Sequence, residues 1–326
     1  MQVFAHNSQT FVELDKDMIS PSGRDLLIEI KAISINPIDT KVKQTIKKDE
    51  TKVLGYDAAG VVVALGDEVS MFEVGDAVFY AGDLTRDGSN AAFQLVDERL
   101  VAHKPKTLDF KESAALPLTS ITAWESLFDR LKITQADQSK SLLLIGAAGG
   151  VGSMAIQLAK HKIGLNVIAT ASRESSKNWC LDLGADVVIN HHDLAAEFKR
   201  HNLASPAYIL CMGHPDQYFD QMAELIAPQG SICLLVNAAK AHDINLLKLK
   251  SVTLVWEMML TRSMFQTNDM IEQHNLLTQL AEMIDQGQIK TTLTKTLSPI
   301  NLDNIIQAHA LIESEQMIGK LVISNP

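Results

Sequence analysis

The sequence predicts an α/β protein in which a mostly β, barrel-like domain accompanies a doubly wound parallel sheet. Short β-branched runs separated by turns fill the chain up to about Ser113, and such runs are typical of a compact β domain. Helical periodicity then alternates with apolar runs, which indicates parallel strands joined by helices. One of these apolar runs leads directly into a glycine-rich turn at residues 146–152.

The predicted elements follow in chain order. In the first part we expect strands at 26–35, 58–65, 77–80 and 93–96, with Gly-Asp turns at 66–67 and 75–76. In the middle we expect helices at 113–130 and 153–160 and strands at 142–145, 167–170, 187–189, 208–211 and 231–236. A strand-like run at 251–259, a helix at 268–286 and a strand at 319–324 complete the chain. The last strand could return to the first domain.

The glycine-rich turn has the spacing of a dinucleotide-binding fingerprint. Ala147 stands in the place of the first glycine, Gly149 and Gly152 take the second and third places, and Gly150 and Val151 lie between them. Glycine at 149 lets the backbone approach a pyrophosphate, glycine at 152 lets the helix close on the strand, and free N–H groups at the helix N-terminus face the anion. Because strand, turn and helix follow in the required order, we expect these five residues to bind a dinucleotide.

The end of the next strand indicates which dinucleotide is bound. A site for NAD usually has Asp or Glu at this strand tip, whereas this chain has Ser172 and Arg173, with Lys177 nearby. These three residues could bind a 2′-phosphate, which a carboxylate would repel. We therefore expect NADPH. The alternative is that Arg173 and Lys177 are surface cations, because Glu174 is adjacent and could pair with either of them.

Composition narrows the possible functions. The chain has 326 residues, enough for two domains, with 46% hydrophobic and 21% charged residues. A formal net charge of −10 argues against nucleic-acid or anionic-membrane partners, because both require a basic surface. Residues 1–15 lack the pattern of a signal peptide, and no apolar run approaches the ~18 residues of a membrane span. We expect a cytoplasmic protein.

The cysteines and histidines do not predict a metal site. Cys180, Cys211 and Cys233 are the three cysteines and lack C-x-x-C spacing, so they form neither a disulfide framework nor a four-cysteine zinc lobe. His191 and His192 are the only adjacent histidines. They follow a predicted strand, and we expect them at the cofactor edge or on the surface.

Several co-linear motifs carry a resemblance to a known family. These are SINPID at 34–39, LGYDAAG at 54–60, GSNAAFQLVDER at 88–99, LPLTSITAWE at 116–125, the glycine fingerprint, LGAD at 183–186, TRSMF at 261–265 and GK at 319–320. The chain thereby resembles the medium-chain dehydrogenase/reductase superfamily, in its zinc-free quinone oxidoreductase-like branch and the group of zinc-type alcohol dehydrogenase-like proteins. The resemblance implies a GroES-like domain at 1–113 and 252–326, a Rossmann NADP(H)-binding domain at 114–251, and an active site in the cleft between them.

The same resemblance allows the zinc-ligand positions to be checked. Asn36, Tyr56 and Leu118 stand where zinc-dependent members carry cysteine, histidine and cysteine, Ile38 stands at the position of the proton-relay hydroxyl, and Asp57 replaces a glutamate. An amide, a phenol and an alkyl group cannot replace thiolate and imidazole ligands. We therefore expect no metal.

The resemblance also implies roles for single residues. Asn36 would contact the nicotinamide or the substrate, and Thr122 would help to place the nicotinamide. Tyr56 would point into the cleft, where its phenol donates to the substrate oxygen or supplies a proton; the alternative is an aromatic wall without a chemical role. From its position after Pro37, independently of the resemblance, Asp39 is expected to cap a helix start. His191 replaces a tyrosine of many relatives and could bind or stack near the 2′-phosphate, with pH-sensitive affinity.

These expectations lead to one preferred function and two alternatives. The preferred function is NADPH-dependent, zinc-independent reduction of small quinones or α,β-unsaturated carbonyls, because a conjugated acceptor spreads negative charge without a Lewis acid. The alternatives are a zinc-type alcohol dehydrogenase and a non-catalytic NADPH-binding protein with a sensing or structural role. The family expectation is a homodimer that pairs through residues 251–259.

Overall fold

The computed structural model describes residues 1–325, which divide into two compact units. One unit contains Met1–Ile121 and the chain from Leu260 onward, and the other contains Thr122–Met259. Relative to the boundaries expected from the sequence, this division places residues 114–121 in the first unit and residues 252–259 in the second. Residues 252–259 fall in the second unit because strand Thr253–Trp256 pairs with strand Ser231–Leu234 of the second sheet.

Across the described residues the chain forms sixteen β-strands. In chain order these are β1 Gln2–His6, β2 Phe11–Asp15, β3 Asp25–Ser34, β4 Lys52–Val53, β5 Ala58–Leu65, β6 Ala77–Tyr80, β7 Phe93–Asp97, β8 Val101–His103, β9 Ser141–Ile145, β10 Asn166–Thr170, β11 Val187–Ile189, β12 Tyr208–Cys211, β13 Ser231–Leu234, β14 Thr253–Trp256, β15 Leu293–Leu297 and β16 Lys320–Ser324.

The same residues form ten α-helices, and none of them is both long enough and apolar enough to cross a membrane. They are α1 Pro37–Thr45, α2 Phe110–Ala114, α3 Pro117–Trp124, α4 Gly150–Leu158, α5 Glu174–Asp182, α6 Leu194–Arg200, α7 Pro215–Leu225, α8 Thr261–Met264, α9 Glu272–Asp285 and α10 Leu302–Glu313. Helices α3 and α4 continue as π-helical segments, Glu125–Arg130 and Ala159–Ile163 respectively.

The second unit is built on a six-stranded parallel sheet in the order β11-β10-β9-β12-β13-β14. Counted from β9, this is the 3-2-1-4-5-6 order of the Rossmann fold, in which ligands bind beyond the carboxyl ends of the strands where the order reverses. The reversal lies between β9 and β12. The glycine-rich turn follows β9 and therefore lies at this position.

The first unit joins both ends of the chain in one sheet. Its seven strands have the order β15-β16-β3-β5-β6-β8, with β7 also paired to β3, and β2-β1-β4 form a separate small sheet. Strand β16 pairs antiparallel with β3, so that Val322 lies opposite Ser34. Buried apolar residues such as Ile33 and Ile323 form the core of this unit. This pairing places Lys320 near the segment that follows β3.

The predicted helix at 113–130 is interrupted in the structure. Helix α2 ends at Ala114, and α3 begins at Pro117. Proline lacks the N–H that a helix interior needs but fits the first helical position. The predicted strands at 58–65 and 77–80, in contrast, have the observed bounds.

Candidate active site

In the glycine-rich turn of the second unit, Gly149 and Gly152 are required for different reasons. A Cβ at Gly152 would lie 2.4 Å from the carbonyl oxygen of Ala147, so the packing of α4 on β9 requires glycine there. A Cβ at Gly149 would meet only the carbonyl oxygen of Gly146, at an ordinary 3.6 Å. Internal packing therefore explains the glycine at 152 but not the one at 149. Glycine at 149 is instead explained if the protein backbone there closely approaches a phosphate of the ligand.

The N-terminus of α4 is available to an anion. Gly149 is the N-cap residue and provides no side-chain cap. Within residues 1–325 the first-turn N–H groups of Gly150, Val151 and Gly152 have no side-chain partner. Such a terminus carries partial positive charge and binds phosphates. The Gly146 N–H donates to Thr170 Oγ1 at 3.0 Å, which ties the turn to the tip of β10. These residues fit the pyrophosphate of a dinucleotide.

The other predicted cofactor residues lie along the same edge of the sheet. Because β9, β10 and β11 are parallel neighbours, their carboxyl ends meet at one edge. Ser172 and Arg173 follow β10 and are exposed, whereas Lys177 on α5 and His191 after β11 are half-buried. Burial, together with the neighbouring His192 and His214, lowers the pKa of His191 below its ordinary value. His191 is therefore neutral at physiological pH.

Helix α5, which carries Lys177, is fastened to α4 by a hydrogen bond. Trp179 Nε1 donates to Ser153 Oγ at 2.8 Å, and that hydroxyl donates to the Gly149 carbonyl oxygen at 2.8 Å. Within residues 1–325, Glu174 and Lys177 do not form an ion pair with each other. The pairing that would make Lys177 a neutralised surface cation is therefore not formed.

A buried polar network occupies the first unit near the expected zinc-ligand positions. Lys320 Nζ donates to Asn36 Oδ1 at 2.5 Å and to Asp57 Oδ2 at 2.9 Å. Asn36 Nδ2 donates to Asp57 Oδ2 and to the Ser34 carbonyl oxygen, each at 3.2 Å. Asn36, Asp57 and Lys320 are at most 4% exposed. Together with Asp39 we call these residues the Lys320 network.

Asp39 links this network to the backbone. Its carboxylate accepts the N–H groups of Asn36 at 2.8 Å and Gly55 at 2.9 Å, so it caps the start of α1 as the sequence predicts. Burial raises its pKa to about 7, against the opposing effect of these two N–H groups and Lys320. The pKa of Asp57 is also raised above its ordinary value, because the effect of burial exceeds the opposing effect of the nearby Lys320 ammonium.

Three fully buried side chains beside this network carry polar atoms without hydrogen-bond partners in the described chain. They are the Tyr56 hydroxyl, Ser89 Oγ and both amide atoms of Asn90. Ser89 and Asn90 lie against Gly55, where a Cβ would be 2.5 Å from Ser89 Oγ. Burial and the nearby Asp39 raise the pKa of Tyr56 well above its ordinary value. The phenol therefore keeps its proton and remains a donor.

Thr122 lies one turn beyond Leu118 on α3 and is 8% exposed. The Leu118 N–H donates to Asp57 Oδ1 at 3.1 Å, so the start of this helix is anchored to the Lys320 network. The structure thus brings Asn36 and Asp57 together with Leu118. It places the cofactor residues in the other unit.

The donors around the Lys320 network do not fit a zinc ion. Leu118 offers only its backbone N–H, the phenol of Tyr56 remains protonated, and Asn36 Oδ1 and Asp57 Oδ2 already accept from a lysine ammonium. Zinc is bound by thiolate, imidazole and carboxylate groups. No cluster of three or more His, Cys, Asp or Glu residues that could hold a metal occurs within residues 1–325.

Sequence reasoning identified the GK motif at 319–320 without giving Lys320 a role, and it assigned none to Ser89 or Asn90. One signal was present. Lys320 begins a run that continues with Leu321, Val322 and Ile323, and a cation at the edge of a buried apolar strand needs a buried partner. The identity of that partner follows only from the fold.

Comparison with known proteins agrees with this architecture. The family model of the alcohol dehydrogenase GroES-like domain matches residues 22–106, and that of the zinc-binding dehydrogenase matches residues 183–323. A zinc-type alcohol dehydrogenase-like protein of Staphylococcus epidermidis is 44% identical over 319 residues, which cover 96% of this chain and 94% of that protein.

One solved structure and one more distant relative add to this comparison. The crystal structure of a Rhizobium etli CFN 42 protein named after the zinc-dependent alcohol dehydrogenases is similar with a TM-score of 0.93 and 48% identity, covering 99% of this chain and 98% of that chain. The chloroplastic NADPH-dependent alkenal/one oxidoreductase of Arabidopsis thaliana is 28% identical, covering 96% of this chain and 75% of that protein. The fold, the two family models and the 44% identity across nearly the whole chain show that this protein belongs to the medium-chain dehydrogenase/reductase superfamily of oxidoreductases, in the group of zinc-type alcohol dehydrogenase-like proteins.

Proposed function

We propose that the protein is an NADPH-dependent, zinc-independent reductase of small quinones or α,β-unsaturated carbonyls. The observation that carries this proposal is the Lys320 network, in which the Asn36 amide and the Asp57 carboxylate already accept from the Lys320 ammonium, while Asn36, Tyr56 and Leu118 stand in the places of the thiolate and imidazole ligands. An isolated carbonyl needs a strong electrophile to stabilise the alkoxide that forms on reduction. A conjugated acceptor spreads the same charge and needs only hydrogen-bond donors.

The choice of NADPH is supported by the charges beyond β10. The exposed Arg173 and the half-buried Lys177 could pair with a 2′-phosphate, and Arg in particular can bind phosphate through two N–H groups. Ser172 adds a hydroxyl donor, and neutral His191 could add a further hydrogen bond. The Arabidopsis relative bears NADPH dependence in its name, which agrees with this choice.

In the proposed mechanism, cofactor binding and substrate activation use different groups. The backbone of Ala147 and Gly149 to Gly152 holds the pyrophosphate, and Thr122 helps to place the nicotinamide. When bound, the reduced nicotinamide supplies the hydride. Asn36 positions Lys320 and Asp57 through the hydrogen bonds already described. The buried phenol of Tyr56 donates a hydrogen bond or a proton to the substrate.

The test combines turnover, cofactor choice and metal content on one sample. We expect the purified protein to reduce members of a panel of quinones and enones, with kcat/KM at least about tenfold higher for NADPH than for NADH, which corresponds to about 1.4 kcal/mol. We expect zinc well below one ion per chain and activity that survives a chelator. Stoichiometric zinc with chelator-sensitive alcohol oxidation would support the alcohol dehydrogenase alternative. Tight NADPH binding without turnover would support a non-catalytic role.

We further propose a cytoplasmic homodimer. Cys180, Cys211 and Cys233 are buried free thiols, which agrees with a reducing compartment. Strand β14 lies at the edge of the parallel sheet, and an open edge strand can pair with a second copy. The substrate is a small molecule, and the acidic chain argues against nucleic-acid or membrane partners.

A further inference from the structure

The ammonium of Lys320 has one donor that the rest of the chain leaves unused. An ammonium carries three N–H donors, and Asn36 Oδ1 and Asp57 Oδ2 accept two of them. Within residues 1–325 the third makes no hydrogen bond. Both N–H groups of Asn36 are already donated, to Ser34 and Asp57. Lys320, rather than Asn36, is therefore the member of the network that can still donate to a ligand.

The fold does not explain why this position carries a charge. The next three residues of β16 are apolar and fully buried, so an apolar side chain at 320 would suit the same strand. The side chains of Lys320 and Asp57 are only 5% and 0% exposed. Removing such ions from water is unfavourable, and replacing a buried ion pair by well-packed apolar residues is often neutral or stabilising. A reason beyond stability is needed.

The ammonium is also held in a fixed place. Its partner Asp57 accepts the Leu118 N–H through Oδ1 and the Asn36 amide through Oδ2. Its partner Asn36 is fixed by the Ser34 carbonyl oxygen. A charge that is already oriented and desolvated before reaction stabilises developing charge much more strongly than a mobile charge in water.

We propose that Lys320 supplies the positive charge that a metal ion supplies in zinc-dependent members, by donating its third N–H to the carbonyl or quinone oxygen of the substrate. The inference rests on the proposed function. As hydride from NADPH adds to the β-carbon of an enone, the electron pair of the double bond shifts toward that oxygen. Lys320 keeps its proton and stabilises the negative charge. A proton supplied ultimately by water then joins the α-carbon.

The test must remove the charge without leaving Asp57 buried and unpaired. The double variant K320M/D57N makes both positions neutral, and K320Q/D57N does so while keeping a side-chain donor at 320, in case the first variant does not fold. D57N alone keeps the ammonium but removes its counter-charge. K31M serves as the control, because Lys31 lies on β3 of the same unit and its ammonium pairs with Glu29 near the surface.

We expect the neutral double variant to fold and to bind NADPH with a Kd within about threefold of the wild-type value. Its kcat/KM should fall about 10²- to 10³-fold, the range measured for removing one oxyanion donor. The kcat/KM of D57N is expected to fall less than that of the double variant, and the kcat/KM of K31M should equal the wild-type value. If the pair is only structural, the double variant will exceed D57N alone in both stability and kcat/KM. That result would overturn the proposal.

A second readout does not depend on turnover. The probe is 4-nitrophenol, whose absorbance distinguishes the ionised from the neutral form. We expect Lys320 to hold the bound probe as phenolate, and the neutral double variant to hold it as phenol at the same pH. Equal ionisation in both proteins would overturn the inference. Failure of the wild type to reduce any enone or quinone would instead contradict the proposed function, and the probe would still report on Lys320.

Discussion

At the scale of single residues, Tyr56 is the group whose chemical role is easiest to isolate. Its hydroxyl is fully buried and lacks a partner in the described chain, and a donor in this state is available to a ligand. We predict that Tyr56→Phe lowers kcat/KM for a good enone by about 10²-fold, the lower end of general-acid contributions, while the melting temperature stays unchanged or rises. The measurement is steady-state kinetics with a saturating reduced cofactor.

Tyr80→Phe is the matched control. Tyr80 is also fully buried in the first unit, but its hydroxyl donates to Gln94 Oε1 at 3.0 Å. Its loss should reduce the free energy of unfolding by about 1 kcal/mol and leave kcat/KM as it was. If Tyr56→Phe also leaves kcat/KM undiminished, Tyr56 is only an aromatic wall.

A second residue-scale prediction concerns His309 on α10. Its ring is 2% exposed, both of its nitrogens lack partners within the described residues, and it packs against Phe11. Burial lowers the pKa of His309 to about 3, assisted by Lys43 and His6. The folded state therefore prefers the neutral ring, whereas the unfolded chain takes up a proton below a pKa of about 6.5. The stability that this preference provides is complete above pH ~6.5 and is lost as the pH falls toward 3.

His309→Phe should remove this acid sensitivity. We predict that the difference in free energy of unfolding between variant and wild type grows in favour of the variant by about 1.4 kcal/mol for each pH unit below ~6.5. Urea unfolding at a series of pH values measures this difference. A constant difference for His309→Phe between pH ~6.5 and pH ~4 would show that this ring is not held neutral.

At the scale of elements, the turn between β9 and α4 contains one glycine whose substitution should affect cofactor binding and another whose substitution should affect stability. Gly149→Ala meets only one atom at 3.6 Å, whereas Gly152→Ala places a methyl group 2.4 Å from the Ala147 backbone. We predict that Gly149→Ala keeps the wild-type melting temperature but weakens NADPH binding at least about tenfold, because the methyl group stands where the pyrophosphate approaches. Gly152→Ala should lower the melting temperature, because overpacking costs about 1–3 kcal/mol.

Thermal unfolding and fluorescence titration with NADPH provide the two measurements. Equal Kd values for wild type and Gly149→Ala would mean that no ligand approaches this glycine. A stable Gly152→Ala variant would mean that α4 can shift on β9 without cost.

Elements with a local signature were predictable from the sequence. The fingerprint turn, β5 and β6 each combine an apolar run with glycine and other turn residues within a few positions. Strands β1 and β2 lacked a clear alternating pattern and were not predicted. The single helix expected at 113–130 did not account for Pro117, which begins a new helix instead of continuing the old one.

At the scale of the whole molecule, the Lys320 network could not have been predicted, because it joins residues far apart in the chain. Asn36 and Lys320 are separated by 284 positions and Asp57 and Lys320 by 263. They meet only because β16 returns to pair with β3. Local composition indicates that a buried lysine needs a partner, but long-range strand pairing decides which partner it finds.

Strand β14 forms one edge of the parallel sheet, and we expect a second copy of the chain to cover this edge. Strand β14 ends the sheet, and its Trp256 is 50% exposed. The N–H groups of Thr253 and Glu257 point to the neighbouring side, toward Gly230 and Leu234. Because N–H direction alternates along a strand, the N–H of Trp256 points outward and is free to pair with a second copy.

We predict that the wild type is a dimer of twice 35.7 kDa and that Trp256→Lys shifts it toward the monomer. About a two-fold axis the new lysine would lie near its own copy, and like charges across paired strands repel. Val74→Lys is the control, because Val74 is a 63% exposed apolar residue of the first unit and should leave the mass unchanged. Light scattering on a sizing column measures all three masses. A monomeric wild type, or a Trp256→Lys variant that remains fully dimeric, would show that this edge does not form the interface, and the exposed tryptophan would then need another explanation.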